Sequence, residues 1–447
     1  MARFLLTVWP FPSHYFPMLA IAGALRERGH EVAFYSGSRA RGPIEGEGFG
    51  FFPFASVDDE HIDELMFSRD RYASWKLPFQ FKALLHDWLL ATVPGQVSDL
   101  REILSAWRPE AILSESQIWA PMLVLHETER VQVAVFSTVA ACLLPGPDAP
   151  PPGLGLPRPR DWSTRLLAQA ARTVRSGLGL DFRREANAVR HRYGLPPLAT
   201  SVIELTGRMP LYLVPATPEF DYARRDLPPS VHYVGPCLGN KRRDEEPPAW
   251  LEALGRERPW VHVTEGTTHS QDPILLRAAA RGLAGLPMEV IMTTGQRRDP
   301  EQLDLGPRAA NVHVERWVAH EFLLPRTDVV VTTGGAGTVM TVLAAGVPLV
   351  VVPTEWDKPE NAQRVVEAGA GLRLAPARLT PGRLRTAVER VLEDPSFRRN
   401  AQRLATDLGR YAGPARAAEL LERLTYGPAG HGTVAPGRPL YAEERVS

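Results

Sequence analysis

The stretch Asp328-VVVTTGGAGTVMTVLAAGVPLVVVPTEWDKPENAQRVVEAGA-Gly371 decides the fold. Its first apolar residues, Val329 to Thr332, have the length and β-branching of a buried strand. Thr332-Thr-Gly-Gly-Ala-Gly-Thr338 is a glycine-rich turn, and an apolar helical segment follows it. Glycines let the backbone approach a ligand closely, and a helix start presents unpaired N–H groups and partial positive charge. Together they make a site suited to an anion such as phosphate. Thr338 can cap that helix or offer its hydroxyl to a phosphate. A ligand-free strand-to-helix turn fits the glycines alone equally well. Gly346 and Pro348 close the helix, and Pro348 to Pro353 reads as the next strand.

The same alternation extends in both directions. Trp260-Val-His-Val-Thr, Glu289-Val-Ile-Met-Thr-Thr and Asn311-Val-His-Val read as strands, with a helix between Asp272 and Gly285. At the N-terminus, Arg3-Phe-Leu-Leu-Thr-Val-Trp-Pro is a strand, Phe11 to Phe16 a loop, Pro17 to Arg28 a helix and Glu31 to Ser36 a strand. Strand, helix, strand at this spacing is a right-handed crossover onto a parallel sheet. Further strands are expected at Ala111, Val133, Leu211 and Val231. The proline-rich segment Pro145 to Pro159 reads as a surface loop, and Gly239-Asn-Lys-Arg-Arg-Asp-Glu-Glu-Pro-Pro as a linker. The fold class is therefore α/β, with two successive parallel-sheet units whose facing strand ends form a cleft.

Composition narrows the function. The 447 residues carry 51 basic and 51 acidic side chains, which argues against a nucleic-acid footprint and a polybasic membrane surface. All but four of the basic residues are arginine; the lysines are Lys76, Lys82, Lys241 and Lys358. Two cysteines, Cys142 and Cys237, are too few for a disulfide framework, so a cytoplasmic setting is expected. The uncharged run Val329 to Thr354 is long enough to span a bilayer, but its glycines and Pro348 break it into separate elements, so no membrane span is expected. No Asp-x-Asp, His-Glu-x-x-His or cysteine pair is present to hold a metal, and no GxGxxG follows the first strand, which disfavours a dinucleotide dehydrogenase.

GGAGT, GVPLVVVP and WDKPENAQRV together resemble the donor-site signature of the UDP-glycosyltransferase family, most closely its bacterial natural-product and macrolide members. Asn311-VHVERWVAHEFLLPRTD resembles that family's nucleobase loop, and Pro12-SHYFPMLAIAGALRERGHEV its acceptor-side histidine loop. The resemblance implies the GT-B fold, two Rossmann-like domains facing across a cleft. On that basis residues 1–238 would bind the acceptor, 239–255 link, and 256–405 bind the nucleotide sugar. Residues 406–425 would be a helix returning to the first domain, and 426–447 a tail.

The resemblance also implies roles. His14 would be the catalytic base, and Glu115 its orienting carboxylate where the family usually has aspartate. Trp317 would meet the nucleobase. Gly335, Gly337 and Thr338 would hold the diphosphate with Thr267 facing them, and Asp357 and Lys358 would read the sugar hydroxyls. Three positions depart from the pattern: Thr333 replaces a diphosphate-binding histidine, Thr341 a ribose-binding glutamate, and Lys358 a glutamine. Phe11, Tyr15, Trp75, Phe79, Phe81, Trp88 and Trp119 are candidates for an apolar acceptor pocket, several of them equally candidates for core.

The implied reaction is inverting transfer of a hexose from a UDP- or dTDP-sugar to a hydroxyl of an apolar small molecule. The nucleotide sugar would be a co-substrate, and no metal or other cofactor would be needed. A histidine suits deprotonation of a hydroxyl at neutral pH, a carboxylate on its other nitrogen supports the imidazolium, and helix amides suit the departing diphosphate. The alternatives are a sugar-nucleotide epimerase and a non-catalytic nucleotide-sugar-binding partner of another transferase.

Overall fold

The computed structural model describes residues 1–67, 78–222, 224–239, 246, 249–266, 272–295, 298–306 and 309–427. Two parallel sheets organise them. The first holds β1 (Arg3–Thr7), β2 (Glu31–Ser36), β3 (Gly50–Pro53), β4 (Ala111–Glu115), β5 (Gln132–Phe136), β6 (Leu211–Val214) and β7 (Val231–Tyr233), in the order β3-β2-β1-β4-β5-β6-β7. The second holds β8 (Trp260–Thr264), β9 (Glu289–Thr293), β10 (Val312–Glu315), β11 (Val329–Thr332), β12 (Leu349–Val351) and β13 (Gly371–Arg373), in the order β10-β9-β8-β11-β12-β13. Each order reverses once, between β1 and β4 and between β8 and β11. Open α/β sheets bind ligands at the carboxyl ends of the strands flanking such a reversal. The central strands are apolar on both faces because helices cover both; Phe4, Leu5 and Leu6 are fully buried, as are Val329, Val330 and Val331.

Four helices position the site: α1 (Pro12–Glu27), α2 (Ala336–Ala344), α3 (Lys358–Glu367) and α4 (Pro414–Tyr426). The first begins earlier than the sequence predicts. Phe11 is its extended N-cap and Pro12 its first residue, while Pro17 lies inside it. Proline lacks the amide that would bond the carbonyl four residues back, here that of Ser13, and Ser13 is exposed to water. His14 therefore sits on the first turn of a helix rather than in a loop.

The last helix, α4, packs against α1. Ala417, Ala418, Leu420 and Leu421 join the core formed by β1, β2 and α1. A polar clasp completes the contact: buried Glu422 accepts from the exposed Arg28 Nε at 2.9 Å and pairs with buried His30 Nε2 at 2.7 Å. These bonds hold the Glu422 carboxyl down at about 2.

The segment Pro145 to Pro159 is not a free surface loop. It straps across to the second sheet's α3, where the Gly153 and Gly155 amides donate to Glu360 Oε1 at 2.9 and 2.7 Å. Gly155 has φ +56°, and a Cβ there would lie 2.4 Å from the Pro359 carbonyl oxygen, so only glycine fits this approach. Beside it Arg364 of α3 donates from Nε to Asp221 at 2.9 Å, with both side chains buried.

Candidate active site

A cavity of about 650 Å³ lies between the carboxyl ends of the two sheets, bordered by residues of both halves of the chain. On one wall His14 projects from the first turn of α1, and Glu115 ends β4. His14 Nδ1–H donates to Glu115 Oε2 at 2.8 Å. The Glu115 side chain is fully buried and that of His14 is 15% exposed. A carboxylate one methylene longer than aspartate thus still reaches the ring, and its bond to Nδ1 leaves Nε2 as the imidazole's proton acceptor.

The opposite wall is the glycine turn. Gly334 has φ +92°, and a Cβ there would meet Val351 Cγ1 at 2.6 Å, so that position requires glycine for packing. Gly335 and Gly337 differ: an added Cβ at either meets nothing within 4 Å, and both border the cavity. Gly335 caps α2 with no side-chain bond to the helix amides, so the first turn of α2 opens toward the cavity. That arrangement attracts an anion through N–H groups and the helix dipole.

Acidic and basic groups crowd around this helix start. The Asp357 carboxylate accepts from Asn361 Nδ2 at 2.7 Å and is faced by the Ala336 amide. Burial pushes its carboxyl upward, opposed by Asn361 and Lys358. Lys358 is 4% exposed, not a solvated loop-tip lysine. Its Nζ donates to Thr354 Oγ1 at 2.9 Å and lies 3.7 Å from Glu355 Oε1. Burial pulls the ammonium below its ordinary value and pushes Glu355 above its own. Glu265, after β8, is buried against Arg298; burial pushes it up and Arg298 opposes.

Of the other residues singled out from sequence, Trp317 borders the cavity and stacks with His320 at 6.4 Å. Thr338 borders it as well. Thr333 is buried beneath, its Oγ1 donating to the Glu265 carbonyl at 3.0 Å. Thr341 Oγ1 bonds back to the Gly337 carbonyl at 2.8 Å along its own helix. Phe11, Tyr15, Phe81, Trp88 and Trp119 border the cavity. Thr267, Trp75 and the Phe79 side chain lie outside the described residues.

Sequence reasoning passed over Trp356. It borders the cavity with φ +58°, in the left-handed region that bulky side chains rarely adopt. Such strain costs on the order of 1–3 kcal/mol and persists only where the surroundings enforce it. Nothing in the letters EWDK signals a left-handed tryptophan. His320 and Thr293 were passed over too. Beside them, on β8, His262 is driven well below the ordinary histidine range by burial, with His320 adding to the effect.

Residues 279–424 match the family model described as erythromycin biosynthesis protein CIII-like, C-terminal domain. The chain is 35% identical over 425 residues to 4'-demethylrebeccamycin synthase of Lentzea aerocolonigenes, covering 95% of this chain and 99% of that one. Among solved structures, the glycotransferase of kitacinnamycin superposes with a TM-score of 0.71 at 23% identity, covering 95% of this chain and 98% of that one. A spinosyn rhamnosyltransferase complexed with thymidine diphosphate superposes with a TM-score of 0.68 at 20% identity, covering 94% and 100%. The two-sheet architecture is thus shared with GT-B glycosyltransferases.

Proposed function

Because the chain belongs to the nucleotide-sugar glycosyltransferase family of natural-product biosynthesis, we propose that it transfers a hexose, with inversion, from a nucleoside diphosphate sugar to a hydroxyl of an apolar small molecule. One observation carries this. The His14–Glu115 pair and the glycine turn that opens α2 border one cavity from opposite sheets.

His14 Nε2 takes the proton from the acceptor hydroxyl, and Glu115 supports the imidazolium that results. The hydroxyl oxygen attacks the anomeric carbon as the bond from that carbon to the diphosphate oxygen breaks. The diphosphate leaves with the electron pair. Gly335, Gly337 and Thr338 at the start of α2 receive the charge it gains. Asp357 and Lys358 face the sugar, Asn361 holds the Asp357 carboxylate, and Trp317 with His320 flanks the base. Holding donor and acceptor across one cleft supplies the orientation. The step calls on no metal or redox group. Thymidine diphosphate in a related fold supports a dTDP- or UDP-linked donor. Such donors, two buried free cysteines and the absence of a membrane-spanning helix among the described residues fit a cytoplasmic enzyme.

A panel of nucleoside diphosphate sugars read by thermal shift tests the proposal. A donor at 100 times its Kd stabilises the folded chain by about 2.7 kcal/mol. The preferred donor should stand out and support transfer to an apolar aglycone. If no member of the panel stabilises the protein, the proposal fails; stabilisation without transfer to any acceptor favours the non-catalytic partner.

A further inference from the structure

The geometry points to Trp356 as the specificity-determining wall of the acceptor chamber, selecting flat aromatic acceptors; this rests on the glycosyltransferase reading of the cavity. Trp356 lies in the turn between β12 and α3, immediately before Asp357, yet its indole packs on rings of the other half. It meets Trp88 at 5.9 Å and 75°, and Phe81 at 6.2 Å and 50°. Trp88 meets Phe11 at 6.0 Å, and Phe11 meets His14 at 5.2 Å. A continuous chain of rings therefore runs from His14 through Phe11 and Trp88 to Trp356, one residue from Asp357. Every member borders the cavity.

The backbone supports the same assignment. The Lys358 amide bonds the Glu355 carbonyl at 3.2 Å, closing a turn whose central residues are Trp356 at φ +58° and Asp357 at φ −78°. Positive φ at the first central position is where glycine ordinarily sits. A tryptophan held there against its preference places a large flat surface at the meeting point of both substrates. Aromatic rings gain from offset or edge-on contact with other rings beyond the area they bury. A planar aromatic acceptor satisfies several of these rings at once, and a puckered one does not.

The variants Trp356→Gly and Trp356→Phe test this. Glycine accepts the backbone conformation without strain, so it removes the indole while leaving the turn. Binding of quercetin, a flat flavonol, and testosterone, a puckered steroid of similar size, is measured by calorimetry, with UDP and dTDP as donor-side controls. Trp356→Gly should weaken quercetin binding about tenfold and change testosterone and nucleotide binding less than about threefold, while Trp356→Phe stays within about threefold of wild type. Unchanged quercetin binding in Trp356→Gly overturns the assignment, as does wild-type protein that binds no quercetin. Equal losses for both acceptors, or a parallel loss of nucleotide binding, also overturn it. The glycosyltransferase reading is judged separately, by nucleotide-sugar stabilisation of the wild type.

Discussion

Glu115→Gln isolates the charge behind the proposed base. The glutamine carbonyl can still accept from His14 Nδ1–H, so the ring keeps its tautomer and position. What disappears is a fully buried negative charge whose oxygen lies 2.8 Å from the ring nitrogen. Two unit charges about 4 Å apart interact by about 4 kcal/mol at an effective dielectric of about 20. If the imidazolium is half formed in the transition state, roughly 2 kcal/mol is lost, a fall in kcat of about 30-fold; a fully formed ion gives nearly 10³-fold. Steady-state kinetics from about pH 5 to about pH 9 read both the fall in kcat and any movement of the pH profile. Nucleotide affinity should be unaffected, because Glu115 lies on the first sheet. A kcat within about threefold of wild type, on an unmoved profile, would make Glu115 a structural carboxylate and refute the argument.

His14→Ala should cost about 10²–10⁴ in rate with nucleotide affinity retained by equilibrium titration; near-normal turnover removes the base assignment. Lys358→Gln should weaken nucleoside diphosphate binding by about 10- to 100-fold if the buried ammonium replaces the histidine missing at Thr333, the range set by a charged hydrogen bond of about 1.5–3 kcal/mol. Thr333→His should then restore part of the loss, and strict additivity in that double-mutant cycle excludes the compensation. Glu422, held at about 2 against an ordinary 4.5, stabilises α4 fully above the ordinary value and loses that contribution as pH falls through the lower one. Glu422→Gln should therefore lower stability at neutral pH by roughly 1–2 kcal/mol and flatten the acid limb of urea-unfolding data; wild-type pH dependence in the variant contradicts the clasp.

The fold is legible in the sequence because buried parallel strands are continuous apolar runs, and each is followed by turn and helix signals. Val329 to Thr332 and Leu349 to Val351 are examples. His14 and the glycine turn are legible for a similar reason, since their chemistry sits within a few residues of a strand end. The helix start at Pro12 is missed because two prolines suggest two candidate first turns, and only packing decides between them. The strap is missed because its partner Glu360 lies 207 residues from Gly153, and no local pattern carries a contact of that range. Trp356 is missed because residue identity predicts the opposite sign of φ.

The strap bears on how this enzyme can be rebuilt. Exchanging the second half of the chain with a relative's takes more than one cut in the connecting segment. Here α4, at the far end of the chain, completes the first sheet's core, so a transplanted half needs a second junction before Pro414. The incoming half must also bring a glutamate and an arginine where Glu360 and Arg364 stand. Without them Asp221 would lose its buried guanidinium partner and keep only the Cys142 amide and the Tyr233 hydroxyl as hydrogen-bond donors, and two strap amides would lose their acceptor. A chimera with matched seams should fold and exchange donors, whereas one with mismatched seams should fail at assembly, before its choice of sugar is ever read.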